Sequence, residues 1–244
     1  MAGSLSVKRR FSLAYLGLAA VLGTAIGALA VVLERPGPSQ PPPWSSWHPI
    51  EQSRKAQQQQ IAAHVGAQYR LGSGKPLVNV VVRDPRKAPP IQDIALTKTL
   101  FPEQRSDILS VDDTNNAAIY ILCGTARRCA INEGEPSAAR AEILRREALE
   151  LALYTFRYVD NTDSVLVEFP PKDVSYVMYF AKGDLADQLR APLRRTLARP
   201  TGPLPRSLSS TERNTIAELT VPRQYRAASD TEPDGSTVLY LAPR

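Results

Sequence analysis

From Phe11 to Leu33 the chain runs 23 residues without a charge. At about 1.5 Å rise per residue, a helix of that length crosses a hydrocarbon core of roughly 30 Å. A lone segment in lipid must be helical to satisfy its own backbone. Lys8, Arg9 and Arg10 precede the run, whereas Glu34 and Arg35 cancel after it. The positive-inside rule then predicts a cytoplasmic segment 1–10, a transmembrane helix 11–33 and everything beyond it outside the plasma (inner) membrane. Ala28-Leu29-Ala30 fits a signal-peptide cleavage pattern. It lies inside the apolar run, however, and the run exceeds the roughly 7–15 residues of a signal peptide, which favours an anchor. Ala19, Gly23 and Gly27 recur every four positions, a spacing that lets two membrane helices approach and makes a homodimer through this helix a candidate.

The pattern then changes. Segment 34–49 holds Pro36, Pro38, Pro41, Pro42, Pro43 and Pro49 and reads as a stiff linker. Its Trp44 and Trp47 suit either the lipid headgroup level or docking on a folded domain. Ile61, Val65 and Tyr69 mark one face of a helix over 50–71. Leu77–Val82 is almost continuously apolar, as in a strand inside a sheet. A charged, proline-containing loop follows over 83–90, then a short helix over 91–100. Ala117–Cys123 reads as a strand. The best helix runs over 137–159, starting at Ser137, with Ala141, Leu144, Ala148, Leu151, Ala152, Thr155 and Val159 turned inward. From Leu149 to Phe156 it is apolar nearly all round, which marks it as the central packing element.

Strands are expected over 164–169 and 174–181, then a leucine-rich helix capped by Asp184 and interrupted by Pro192. A second proline-rich linker spans 199–205. A short helix over 210–219 leads to a terminal hairpin of strands 224–228 and 237–241, turned at Asp234-Gly235. About 40 residues bury little core alone, so 200–244 is expected to extend the main sheet. The fold class expected is α+β: one N-terminal transmembrane helix, then an extracytoplasmic domain, 50–244, with a central amphipathic-to-buried helix on a largely antiparallel sheet.

Composition qualifies this picture. The chain has 30 basic and 24 acidic side chains, a formal charge of +6, and 43% hydrophobic residues, an ordinary globular share. Three of the cations precede the membrane segment. The remainder, 27 basic against 24 acidic, carries +3, too little to suggest nucleic acid as a partner. Cys123 and Cys129 flank a tight loop, and in an oxidising compartment such a pair is expected to be a structural disulfide. It would fix the Arg127-Arg128 tip.

Candidate chemistry is sparse. Gly72-Ser73-Gly74-Lys75-Pro76 lacks the strand-to-helix setting of a phosphate loop and reads as a turn. The oxygen-rich stretch 111–116 matches no calcium loop. Glu142, Glu147 and Glu150 alternate with Arg145 and Arg146, which suggests a solvated, ion-paired helix face. Glu168 reads as an edge or solvent-facing residue. His48 and His64 lack a second ligand in sequence. No catalytic, cofactor or metal residue is assigned. Arg127, Arg128, Arg190, Arg194 and Arg195 are the interaction candidates, facing anionic headgroups or an acidic partner. The expected function is a non-catalytic binding or assembly module of the cell envelope, with the lipid bilayer and an envelope protein as partners. The alternatives are an envelope enzyme using Asp/Glu acid–base chemistry, or a ligand-binding ectodomain working with a membrane partner.

Overall fold

A computed structural model describes residues 15–24, 43–71, 73–87, 90–124, 129, 131, 137–170, 175–199, 208–231 and 235–244. Met1–Pro42 and Pro43–Arg244 form separate compact units. In the first, residues 15–24 are an exposed helix that carries Ala19 and Gly23. Gly27 and the rest of the expected 11–33 span lie outside the described residues. Among the described residues no helix is long and apolar enough to cross a membrane.

The second unit is mixed α and β. Its helices are α1 (Arg54–Gly66), α2 (Ala138–Tyr158), α3 (Ala186–Arg190) and α4 (Ser210–Thr220). Its strands are β1 (Asn79–Arg83), β2 (Asp93–Thr97), β3 (Ile108–Asp113), β4 (Ala117–Cys123), β5 (Ser164–Glu168), β6 (Tyr176–Ala181), β7 (Gln224–Thr231) and β8 (Thr237–Pro243). One sheet holds all eight strands in the order β1-β4-β5-β6-β7-β8-β2-β3. The β4–β5 and β2–β8 pairs are parallel and the other pairs antiparallel.

This sheet cannot be flat. Six strand spacings of about 4.8 Å would put β4 roughly 29 Å from β3. Yet only the 3-10 turn Thr114–Asn116 joins them, and the step from Asp113 to Ala117 spans at most about 14 Å. The sheet therefore rolls toward a barrel. Tyr179 on β6 donates its hydroxyl to Asp112 on β3, across the inside of the roll.

Both faces are apolar, with period two. Ala118, Tyr120, Leu122, Val165, Val167, Met178 and Phe180 face the helices. Ala117, Ile119, Leu166, Val177 and Tyr179 face inward, with Ile94, Leu239 and Leu241. Burial on both faces explains the continuous apolar runs of β4, β5 and β6.

Helix α2 is the central helix, capped by Ser137, whose hydroxyl accepts from the Arg140 N–H. The C-terminal segment extends the sheet as expected. β7 pairs with β6, β8 pairs with β2, and Gly235 takes the left-handed φ of +85° in the hairpin.

Several expectations are corrected. Segment 91–100 holds strand β2 rather than a helix, because pairing with β8 and β3 overrides its local pattern. β3 had no counterpart in the pattern, since Leu109 and Val111 are exposed on an edge. β1 is also an edge strand, not an interior one. The second compact unit begins at Pro43. Trp44 is 7% exposed, packs edge-on to Tyr154 and Tyr158, and donates Nε1 to the Gln188 carbonyl at 3.2 Å. Trp47 stacks on His64 with ring centroids 3.9 Å apart. Both tryptophans belong to the domain.

Candidate anion-binding cleft

A cavity of about 240 Å³ opens where α1, the end of β1 and the β3–β4 turn converge. Ser53 caps α1, its hydroxyl accepting from the Ala56 N–H. The first helical turn has no acid, and Arg54 and Lys55 occupy it instead. Cations at that pole oppose the helix dipole. Arg54 donates from Nη1 to the Asn115 carbonyl and from Nη2 to the Ala117 carbonyl, the latter at 3.0 Å, and so fastens α1 to the β3–β4 turn. Its Nε is buried with no hydrogen-bond partner among the described residues.

Arg83 ends β1, and the turn after it brings Asp84 and Arg86 to the same cavity. The lining thus holds four cations, Arg54, Lys55, Arg83 and Arg86, and one acid, Asp84. The Arg86 N–H and guanidinium, with Lys55, hold the Asp84 carboxyl below its ordinary value. Burial, then the neighbouring Arg86, pushes the Arg54 guanidinium down, with Asp163 partly opposing. The described lining thus holds more cations than acids.

A second polar cluster is internal. Arg146 is 1% exposed. It donates Nε to Glu212 at 3.0 Å, Nη2 to the Ala198 carbonyl at 2.6 Å, and Nη1 to the Tyr69 hydroxyl at 2.6 Å and to Glu150 at 3.3 Å. Tyr69 in turn donates to Glu150 at 2.6 Å. Burial opposes the charge of Arg146, but Tyr69, Glu150 and Glu212 outweigh it and raise its pKa. Burial raises the Glu150 carboxyl, with Arg146, Tyr69 and Gln68 pulling the other way. Glu147 is fully buried, and neither of its oxygens has a hydrogen-bond partner among the described residues. Burial, then Glu150, pushes it well above the ordinary glutamate value.

The expected solvated face on α2 is therefore corrected. Glu142, Arg146, Glu147 and Glu150 are buried, because α1 and α4 cover the sides that the sheet leaves open. Glu142 pairs with Arg213 at 2.7 Å.

A third hollow, about 270 Å³, lies inside the rolled sheet and includes Arg83, Glu168, Ser175, Ser229 and Thr237 in its lining. Glu168 is half-buried here on an interior strand, which corrects its expected edge or solvent-facing position. Burial raises its carboxyl and Arg83 partly lowers it. Among the described residues it is the only carboxylate in that lining. Asp93 and Asp113 do face each other across β2 and β3 beside another hollow. Asp113, however, accepts from the Asn115 N–H and side-chain amide, which hold it below its ordinary value and leave it an acceptor only.

The residues singled out in the sequence fall elsewhere. Cys123 and Cys129 form the disulfide. Arg127 and Arg128 lie outside the described residues. Arg190, Arg194 and Arg195 are exposed around α3 and the 3-10 turn Leu193–Arg195, and Arg190 pairs with Asp187 at 3.0 Å. None of the three lines the cleft. Burial lowers the His64 pKa, which keeps the ring neutral against Trp47. Among the described residues no three His, Cys, Asp or Glu side chains gather as a metal site. Of the cleft, the sequence showed only a charged loop after a strand, since Arg54 and Lys55 fell inside the helix expected over 50–71. The fold that joins them was not visible there. No family model, no curated protein and no solved structure matches the chain.

Proposed function

We propose that the protein is a membrane-anchored, extracytoplasmic module of the cell envelope that binds an acidic ligand or partner without transforming it. The four-cation cleft carries this reading. It offers charge and hydrogen-bond donors, and Arg86 holds its carboxylate among the described residues, Asp84, below the ordinary value. The anchor rests on the uncharged run from Phe11 to Leu33 and the three cations before it. The disulfide supports an oxidising compartment. The location is tested by reporters fused after Arg244. An alkaline phosphatase fusion is expected to be active and a green fluorescent fusion dark, and the reverse pattern sinks the reading.

A second reading, an envelope enzyme, draws on Glu168, whose raised carboxyl sits in the hollow of the sheet. Carboxylate-pair hydrolysis would want a second carboxylate about 5–10 Å away, and the described residues of that lining supply none.

A further inference from the structure

We propose that the cleft between α1, β1 and the β3–β4 turn binds a compact phosphate-bearing ligand of two to three negative charges, a phosphomonoester or a diphosphate. The inference rests on the binding-module reading and names the class of ligand.

Charge supplies the first argument. From residue 34 onward the chain carries a net +3. The cleft alone, with four cations and one acid, carries the same +3. Four cations against one acid in a single described lining are a local excess of positive charge. Clustering like charges this way costs stability, and a multiply charged anion offsets that cost. Three acids touch the cluster, and one of them is Glu168, whose carboxyl burial raises and Arg83 lowers. Asp84 accepts from Arg86, and Asp163 acts on Arg54 while accepting from the Asn116 amide at 3.0 Å.

The kind of cation is the second argument. Three of the four are arginines, the cation whose planar fork suits phosphate oxygens, while Arg54, with Nη1 and Nη2 on backbone carbonyls, contributes its charge. The Arg54 guanidinium is already fixed by two backbone carbonyls, so its charge is held in place before any ligand arrives. Lys55 adds a mobile point charge at the rim.

Size is the third. About 240 Å³ admits a phosphate or diphosphate with a small carrier. A single carboxylate would bring one charge to a site of +3. A phosphomonoester brings close to two, and three strong acceptor oxygens. The phosphate could reach the cleft on a lipid headgroup or as a soluble ester, and both present the same chemistry.

The test uses the full chain in phosphatidylcholine nanodiscs. Calorimetric titrations with pyrophosphate, glycerol 3-phosphate and hexaglutamate are compared for the wild type, Arg86→Gln, Lys55→Gln and Arg194→Gln. Lys55 is exposed, so its variant stays informative if Arg86→Gln misfolds. The expected result is uptake of a phosphate compound, weakened about tenfold or more by either cleft substitution and unchanged by Arg194→Gln, since a charge-assisted bond is worth about 1.5–3 kcal/mol. A titration repeated in discs containing phosphatidylglycerol separates the sources. Suppressed uptake assigns the site to a headgroup, and unchanged uptake assigns it to a soluble ester. Absence of phosphate uptake, or uptake indifferent to Arg86 and Lys55, overturns the proposal. Uptake of hexaglutamate in place of phosphate, lost in Arg86→Gln, also overturns it while leaving the binding-module reading standing.

Discussion

Arg146 on α2 donates to Glu212 on α4 at 3.0 Å, and both side chains are buried. One guanidinium thereby serves two carboxylates, Glu150 and Glu212, and ties the C-terminal segment to the central helix. Removing the cation leaves both acids buried without a counter-charge. Arg146→Met is expected to destabilise the domain by roughly 3–5 kcal/mol, the usual cost of breaking a buried pair from one side. Replacing Arg146, Glu150 and Glu212 together by apolar residues should restore much of that loss. Urea unfolding of the single and triple variants decides it. A single variant as stable as wild type contradicts the role assigned to this contact.

Glu147 gives the domain a pH signature. Its carboxyl is raised by burial, so the folded state holds a proton that the unfolded chain releases near the ordinary glutamate value of about 4.3. Its contribution is complete below that pH and is lost as pH rises toward the folded value. Glu150 is raised too and acts with the same sign. Glu147→Gln should therefore raise the melting temperature at pH 7, and the gain should shrink toward pH 4. Melting curves across pH 4–8 show this directly. A gain that is absent at pH 7, or that grows toward acid, removes the explanation.

The disulfide closes a short loop, with Cys123 and Cys129 six positions apart. Loop-closure entropy gives about 2 kcal/mol for that length. Reduction should lower the melting temperature by roughly 4–8 °C in a domain of this size. Mass spectrometry of the non-reduced protein should show no alkylatable thiol, and two labelled cysteines would exclude the bond.

Trp44 belongs to the folded core despite its place in a proline-rich stretch. Trp44→Ala removes contacts with Tyr154 and Tyr158 and the bond to Gln188, and is expected to cost about 3–5 kcal/mol. If 43–49 were only a spacer, the variant would unfold at the same denaturant concentration as wild type.

The contrast between legible and hidden features has a physical origin. Helix α2 was readable because its cap and its apolar positions are local. Strands β4, β5 and β6 were readable because burial on both faces makes them continuously apolar. β2 was not, since Ile91, Ile94 and Ala95 also fit a helical spacing and its partner β8 lies over 140 residues away. The charged side of α2 was misread because Glu212 is 66 residues beyond Arg146. One signal pointed the right way: a helix apolar all round from Leu149 to Phe156 has no solvated side for Glu150 to occupy. The cleft stayed hidden for a similar reason. Its cations come from two segments, 54–55 and 83–86, that only the α1–β1 packing and the Arg54 bonds to the β3–β4 turn bring together.

The most direct test of the central claim is to see where an anion sits. Crystals of the protein soaked in tungstate, a heavy tetrahedral dianion shaped like phosphate, can be measured for anomalous scattering. The strongest peak is expected among the guanidinium groups of Arg54, Arg83 and Arg86. A cleft without a peak, with tungstate instead beside Arg194 and Arg195, would contradict the assignment of this cavity as the binding site.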